Sequence, residues 1–262
     1  MGKDGSESFP VSEQLAAART ALRRERQRTA DELEAVKSFK HRLEKINTAS
    51  ISYRLGPNQV GFTDASTATG DLDRVREAYE STVMSVPHYS EEYDDTYRES
   101  LAEEFSHDIA VALTDRTVFN ERCKQATLSA VTASISARES LIEDIDAERE
   151  SIDDTAETLV PLAEELDELR SVSFRNCSFG ALDAYRSRLE VLENTCEAVS
   201  EQRQMTIFET RRTQCISMEV GDIVQYFYQD LKVGYPVISS IVDLIAVIVE
   251  LRHRVERAMT VC

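Results

Sequence analysis

Tryptophan is absent from this chain, and glycine (8) and proline (5) are scarce for 262 residues. Sandwiches, barrels and α/β layers need many turns, so this poverty points to an all-α fold. Lysine is scarce too. Lys3, Lys37, Lys40, Lys45, Lys124 and Lys232 are the only ones, and arginine supplies the rest of the 30 basic residues. The cysteines, Cys123, Cys177, Cys196, Cys215 and Cys262, are odd in number and none is spaced C-x-x-C. That pattern argues against a disulfide framework and a zinc ribbon. Long apolar runs are missing. Val237 to Leu251 is the most apolar stretch, and Asp243 and Glu250 interrupt it. It falls short of the about 20 apolar residues of a spanning helix, so a core helix is expected there and no membrane span. Met1 to Ser8 is polar and lacks the apolar segment of a secretory signal, so the expected location is cytoplasmic.

Chemical motifs are missing as well. Gly56 to Gly61 lacks the Lys and Ser/Thr of a phosphate-binding loop, and no G-x-S-x-G elbow occurs. Neither a catalytic residue nor a cofactor is assigned, and no enzyme activity is expected.

What is present is acid. The formal net charge is −18 and the isoelectric point about 4.7. An acidic, lysine-poor surface stays hydrated when salt screens its self-repulsion, and it reads as halophilic adaptation. The alternative is a surface that mimics nucleic acid or binds basic partners. Direct binding of a phosphate backbone is disfavoured, because it needs clustered cations. The best cluster, Arg19, Arg23, Arg24, Arg26 and Arg28, is interleaved with or followed by Glu25, Asp31, Glu32 and Glu34 and reads as a mixed helix face.

Periodicity sets the organisation. After a disordered start (1–10), Ser12 can cap a coiled-coil helix over 11–48. Leu15, Leu22, Thr29, Val36 and Leu43 repeat every seventh residue. Ala18, Phe39 and Ile46 form the companion row, which Glu25 and Glu32 interrupt. Residues 49–70 read as a flexible linker, with a small hairpin over Ile51 to Phe62 as the alternative. Residues 71–115 form a first helical part of a head: Asp71 caps a helix to Ser85, and Val86-Pro87-His88 breaks it. Tyr89, Tyr93, Tyr97, Leu101 and Phe105 then form one aromatic face, and Ser106 caps a short helix. A coiled-coil hairpin fills 116–212. Ile145, Ile152, Leu159 and Leu166 make one row, and Leu141, Leu162 and Leu169 the other, with Glu148 and Thr155 between. Ser171 to Phe179 turns the chain, Ser178 caps the return, and Leu182, Leu189 and Cys196 repeat at seven. Residues 213–262 complete the head, with Pro236 opening the most hydrophobic helix. The architecture expected is an elongated antiparallel stalk packed with the N-terminal helix, plus a compact helical head.

The stretch Val75-Arg76-Glu77-Ala78-Tyr79-Glu80-Ser81-Thr82-Val83-Met84-Ser85-Val86-Pro87-His88-Tyr89 is distinctive. It resembles an uncharacterised family of haloarchaeal coiled-coil proteins, a domain of unknown function. Gln202-Arg203-Gln204, Tyr226-Phe227-Tyr228-Gln229-Asp230-Leu231 and Tyr235-Pro236-Val237 are similar to the same family, so the likeness runs from about residue 12 to 255. The resemblance implies a halophilic archaeal source. It implies no activity, cofactor or catalytic residue.

His88 with Glu91, Glu92, Asp94 and Asp95 is the one metal-like grouping, but the acids lie on several helical faces. A turn hydrogen bond from His88 and acids dressing a helix start are the simpler account, and no metal ligand is assigned. His41, His107 and His253 are scattered; Cys196 lies on a seam, and Cys262 is a terminal thiol. The candidate interaction surface is aromatic: Tyr79, His88, Tyr89, Tyr93, Tyr97, Tyr226, Tyr228 and Tyr235. Tyrosine offers both area and a hydroxyl. The favoured expectation is that Tyr89, Tyr93 and Tyr97 pack against Tyr226, Phe227, Tyr228 and Tyr235 inside the chain; a partner groove and a ligand pocket are the alternatives. These readings converge on an interaction or scaffold protein that binds a protein partner or itself through its helices. The alternative function is a ligand-sensing or transcription-linked regulator with a pocket in the head.

Overall fold

A computed structural model describes residues 11–48, 65–115, 118–214 and 223–261. Among the described residues there are nine α-helices, two short 3-10 turns and no strand. The helices are α1 (Val11–Lys45), α2 (Ala65–Glu80), α3 (Tyr89–Glu92), α4 (Tyr97–Glu104), α5 (His107–Thr114), α6 (Glu121–Ser171), α7 (Phe179–Gln214), α8 (Ile223–Phe227) and α9 (Pro236–Met259). The fold is all-α, as the turn-poor composition predicts. The expected disordered start, the 51–62 hairpin and Cys262 lie outside the described residues.

Contacts divide the chain into two units. Arg26–Asp144 forms the middle unit; residues up to Glu25 and from Ile145 onward form the terminal unit. Helices α1 and α6 each contribute to both units, because the division falls at Glu25 within α1 and at Asp144 within α6.

In the terminal unit the heptad stripes seal as expected. Ile145, Ile152, Leu159, Leu166, Leu182 and Cys196 are completely buried and Leu189 nearly so. The α6–α7 hairpin is antiparallel: Glu165 pairs with Arg188 near the turn, and Ser151 with Arg203 farther along. Each such leucine contributes about 1.5–3 kcal/mol by leaving water. Pro161 lies inside α6 on its exposed side, where the carbonyl left unbonded one turn earlier faces solvent. Phe174 closes the connection, edge-on to Tyr185 at 5.3 Å and beneath the Arg254 guanidinium at 5.2 Å. The start of α1 joins this unit through Arg19–Asp153 and through Gln14, which bonds Ser240 and Asp243.

Residues 71–115 belong to the middle unit, and α8 and α9 to the terminal one. Helix α9 packs along α7 and carries an Arg252–Glu193 ion pair of 2.5 Å to it. An apolar stripe such as Val237, Ile241, Leu244, Ile248 and Leu251 states that it needs a partner, not which one. The 36-residue α7 is long enough to cover the 24-residue α9, whereas 71–115 packs on the second half of α1. There Phe39 meets Tyr79 edge-on at 5.2 Å and stacks with Phe105 at 6.1 Å. Val36, Leu43, Val75, Leu101, Ala110, Phe119 and Val131 complete that core.

Residues 65–70 are the first turns of α2 and not linker; Gly70 sits there with an ordinary helical backbone, at a cost of about 1 kcal/mol against alanine. The same helix stops at Glu80 and tightens into a 3-10 turn at Val83–Ser85, because the Ser81 and Thr82 hydroxyls donate to carbonyls behind them. The predicted aromatic helix from Tyr89 to Phe105 is broken. After one turn the chain passes through a left-handed Asp94 (φ 46°), and α4 restarts with Thr96 and Glu99 bonding each other's backbone N–H. This capping box, worth about 1 kcal/mol, overrides the every-fourth-residue stripe.

Candidate functional site

The seam acids locate two polar centres. In the middle unit Glu32 occupies a position of α1 where a leucine would continue the stripe. Its Oε1 accepts from His88 Nε2 and from Tyr93 Oη, each at 3.0 Å. Its Oε2 accepts from Arg138 Nε at 3.1 Å. Arg138, on α6, also places Nη1 and Nη2 on the two oxygens of Glu104 at 2.8 and 2.7 Å and reaches Ser134 Oγ at 2.6 Å. Because a carboxylate only accepts, His88 carries its hydrogen on Nε2. The side chains of His88, Glu104, Arg138 and Glu32 are all less than one-fifth exposed. Burial opposes the Arg138 charge, yet the bonds and fields of Glu104 and Glu32 hold its pKa above the ordinary value.

Tyr79 lies beneath this centre, fully buried, with its hydroxyl 2.9 Å from Ser100 Oγ. Tyr97 packs on it with ring centres 5.7 Å apart. Burial raises the pKa of Tyr79, Tyr97, Tyr93 and Tyr89, so these phenols stay neutral around pH 7 and are poor bases. The hydroxyl of Tyr89 is buried beside Ser100, whose own hydroxyl bonds Tyr79. A cavity of about 170 Å³ opens beside it, bounded by Tyr89, Tyr93, Val83, Val86, Arg138 and carboxylates.

In the terminal unit Glu148 is the corresponding break in the α6 stripe. Arg203 of α7 donates to its two oxygens at 2.9 and 2.5 Å, and Tyr228 Oη donates to it at 2.5 Å. All three are buried, and Ser151 Oγ takes a further bond from Arg203 at 3.0 Å. The second interrupting acid, Glu25, accepts from Tyr226 Oη at 2.7 Å. A groove of about 240 Å³ next to Arg203 is lined mostly by hydroxyls and exposed acids.

The aromatic set is therefore divided. Tyr79, His88, Tyr89, Tyr93 and Tyr97 belong to the middle unit; Tyr226, Tyr228 and Tyr235 belong to the terminal unit. Within the middle unit Tyr93 donates to Glu32, and within the terminal unit Tyr226 and Tyr228 donate to Glu25 and Glu148. Tyr79, Tyr97, Tyr228 and His88 are core residues and offer no contact surface; Tyr93 and Tyr226 are exposed. His88 makes a long-range bond to α1 and not the expected turn bond, and it lends no side-chain bond to the start of α3. Among the described residues no group of three or more His, Cys, Asp or Glu converges for a metal ion, and no helix is long and apolar enough to cross a membrane. Periodicity alone does not single out Arg138, Glu104 or Ser134, and it gives Arg203 no partner. It does place the two arginines: Arg138 lies seven residues before Ile145, and Arg203 seven after Cys196, in the same rows.

No curated protein and no solved structure matches the chain significantly. The family described as Domain of unknown function (DUF7260) matches residues 13–252. That span takes in both polar centres, and the chain belongs to this family.

Proposed function

We propose that the chain is a cytoplasmic helical interaction or scaffold protein of a halophile, without catalytic activity of its own. One observation carries the reading. Its buried acids are matched by cations and phenols of the same chain, while α7 leaves Phe179, Val191, Met205 and Phe208 exposed. Closed polar centres make a rigid support, and exposed aromatic and methionine side chains suit a protein partner or a second copy. The net charge of −18 and the six lysines support a halophilic, haloarchaeal source.

A photo-crosslinking residue at position 208, introduced in cells grown at high salt, tests the scaffold reading. A single stoichiometric adduct that disappears with Met205→Glu is the expected result. An absence of adducts at positions 179, 205 and 208 would sink it. A second reading, a ligand-sensing regulator, is favoured by the cavity beside Tyr89 and Tyr93.

A further inference from the structure

We infer that the cavity bounded by Tyr89, Tyr93, Val83 and Val86 binds a small organic ammonium ion. The inference rests on the second reading above and gives it a ligand class. Four carboxylates line the cavity, Glu32, Asp95, Glu103 and Glu104, against the single cation Arg138. Arg138 has little to offer an anion, because all three guanidinium nitrogens are bonded to Glu32, Glu104 and Ser134. Asp95 and Glu103 are in no ion pair among the described residues, so the lining stays electronegative toward a visitor.

The remaining wall suits an alkylated nitrogen rather than a bare metal ion. The Tyr89 and Tyr93 rings are tilted by 49° with centres 5.6 Å apart, and their faces attract a cation. Val83 and Val86 offer apolar contact to carbon. At about 170 Å³ the space is below that of drug-sized pockets and fits a short-chain amine. An ammonium of this kind comes from a free amine or from a protruding lysine side chain.

Calorimetry and thermal melts of the full chain at constant chloride test the assignment. Butylammonium and tetramethylammonium are compared with sodium, butanol and butanoate. The expected result is one butylammonium bound per chain with a raised melting temperature. Affinity falls at least about tenfold in the Asp95→Asn/Glu103→Gln pair, as loss of two nearby charges requires. Circular dichroism checks that this variant keeps its fold; Glu103 is exposed and Asp95 half-buried. Nα-acetyl-lysine methylamide separates the two sources: its binding assigns a lysine side chain, and its exclusion a free amine. Butanol or butanoate bound equally well would overturn the charge assignment and leave the pocket reading standing. If no compound binds, both fall.

Discussion

Arg203 and Glu148, 55 residues apart in the chain, meet as a doubly bonded pair inside the α6–α7 hairpin, with Tyr228 as a third member. Each sits where a leucine would continue its helix's stripe. Taking both charges out of water is costly, and the pair is kept by geometry: two parallel bonds, with Tyr228 and Ser151 meeting further needs.

Removing one partner should therefore hurt more than removing both. Arg203→Met is expected to lose about 3–5 kcal/mol by stranding the Glu148 carboxylate. Glu148→Leu/Arg203→Met is expected to recover most of that. Urea unfolding of the two variants measures the difference, and a double variant weaker than the single would contradict it.

His88 is the residue whose importance the sequence understated. As a turn residue it would be dispensable. As a buried donor to Glu32 its loss in His88→Ala is expected to cost about 1–3 kcal/mol. Leu159→Asp, at a fully buried seam position, sets the upper end at about 4 kcal/mol or more. Thermal melts that rank His88→Ala with exposed substitutions would refute the assignment.

Alkaline pH should unfold the protein in a tyrosine-dependent way. Burial raises the pKa of Tyr79 and Tyr228 above the unfolded value of about 10, and at Tyr228 Glu148 raises it further. Above that unfolded value the unfolded chain has released protons that the native chain still holds, so stability declines as pH rises. It is fully present below about pH 10. Tyr228→Phe is expected to flatten the decline seen in melts between pH 9 and 11, the range about the free tyrosine value. An unchanged slope would remove Tyr228 from the explanation.

Cys196 should be inert. It is fully buried, and burial followed by the fields of Glu193 and Glu197 pushes its pKa up to about 11. Iodoacetamide at neutral pH is expected to leave it unmodified until denaturant is added. Mass spectrometry of the native protein showing rapid labelling at Cys196 would mean that the hairpin opens there.

Much of the secondary structure was legible because period carries it. Leu15, Leu22, Val36 and Leu43, or Ile145, Ile152, Leu159 and Leu166, needed only counting in sevens, and all are buried. The break at Thr96 was legible in principle too, since Thr96-x-x-Glu99 is a helix-start signature that an attractive aromatic spacing concealed. The pairing of α9 with α7 was not, because aliphatic faces carry shape information too weak to name a partner from one chain. The candidate site was half legible: Glu32 and Glu148 stood out as acids in apolar rows. Their answering arginines lay on the continuations of other rows, and only the folded backbone brings these rows together.

The closed polar centres also bear on how such a chain changes over generations. A lone replacement at 148 or 203, or at 32, 104 or 138, strands a charge in the interior; a matched replacement does not. Descendants of this sequence should therefore carry linked changes at these positions, and the positions that drift together would trace the folded contacts without any coordinates.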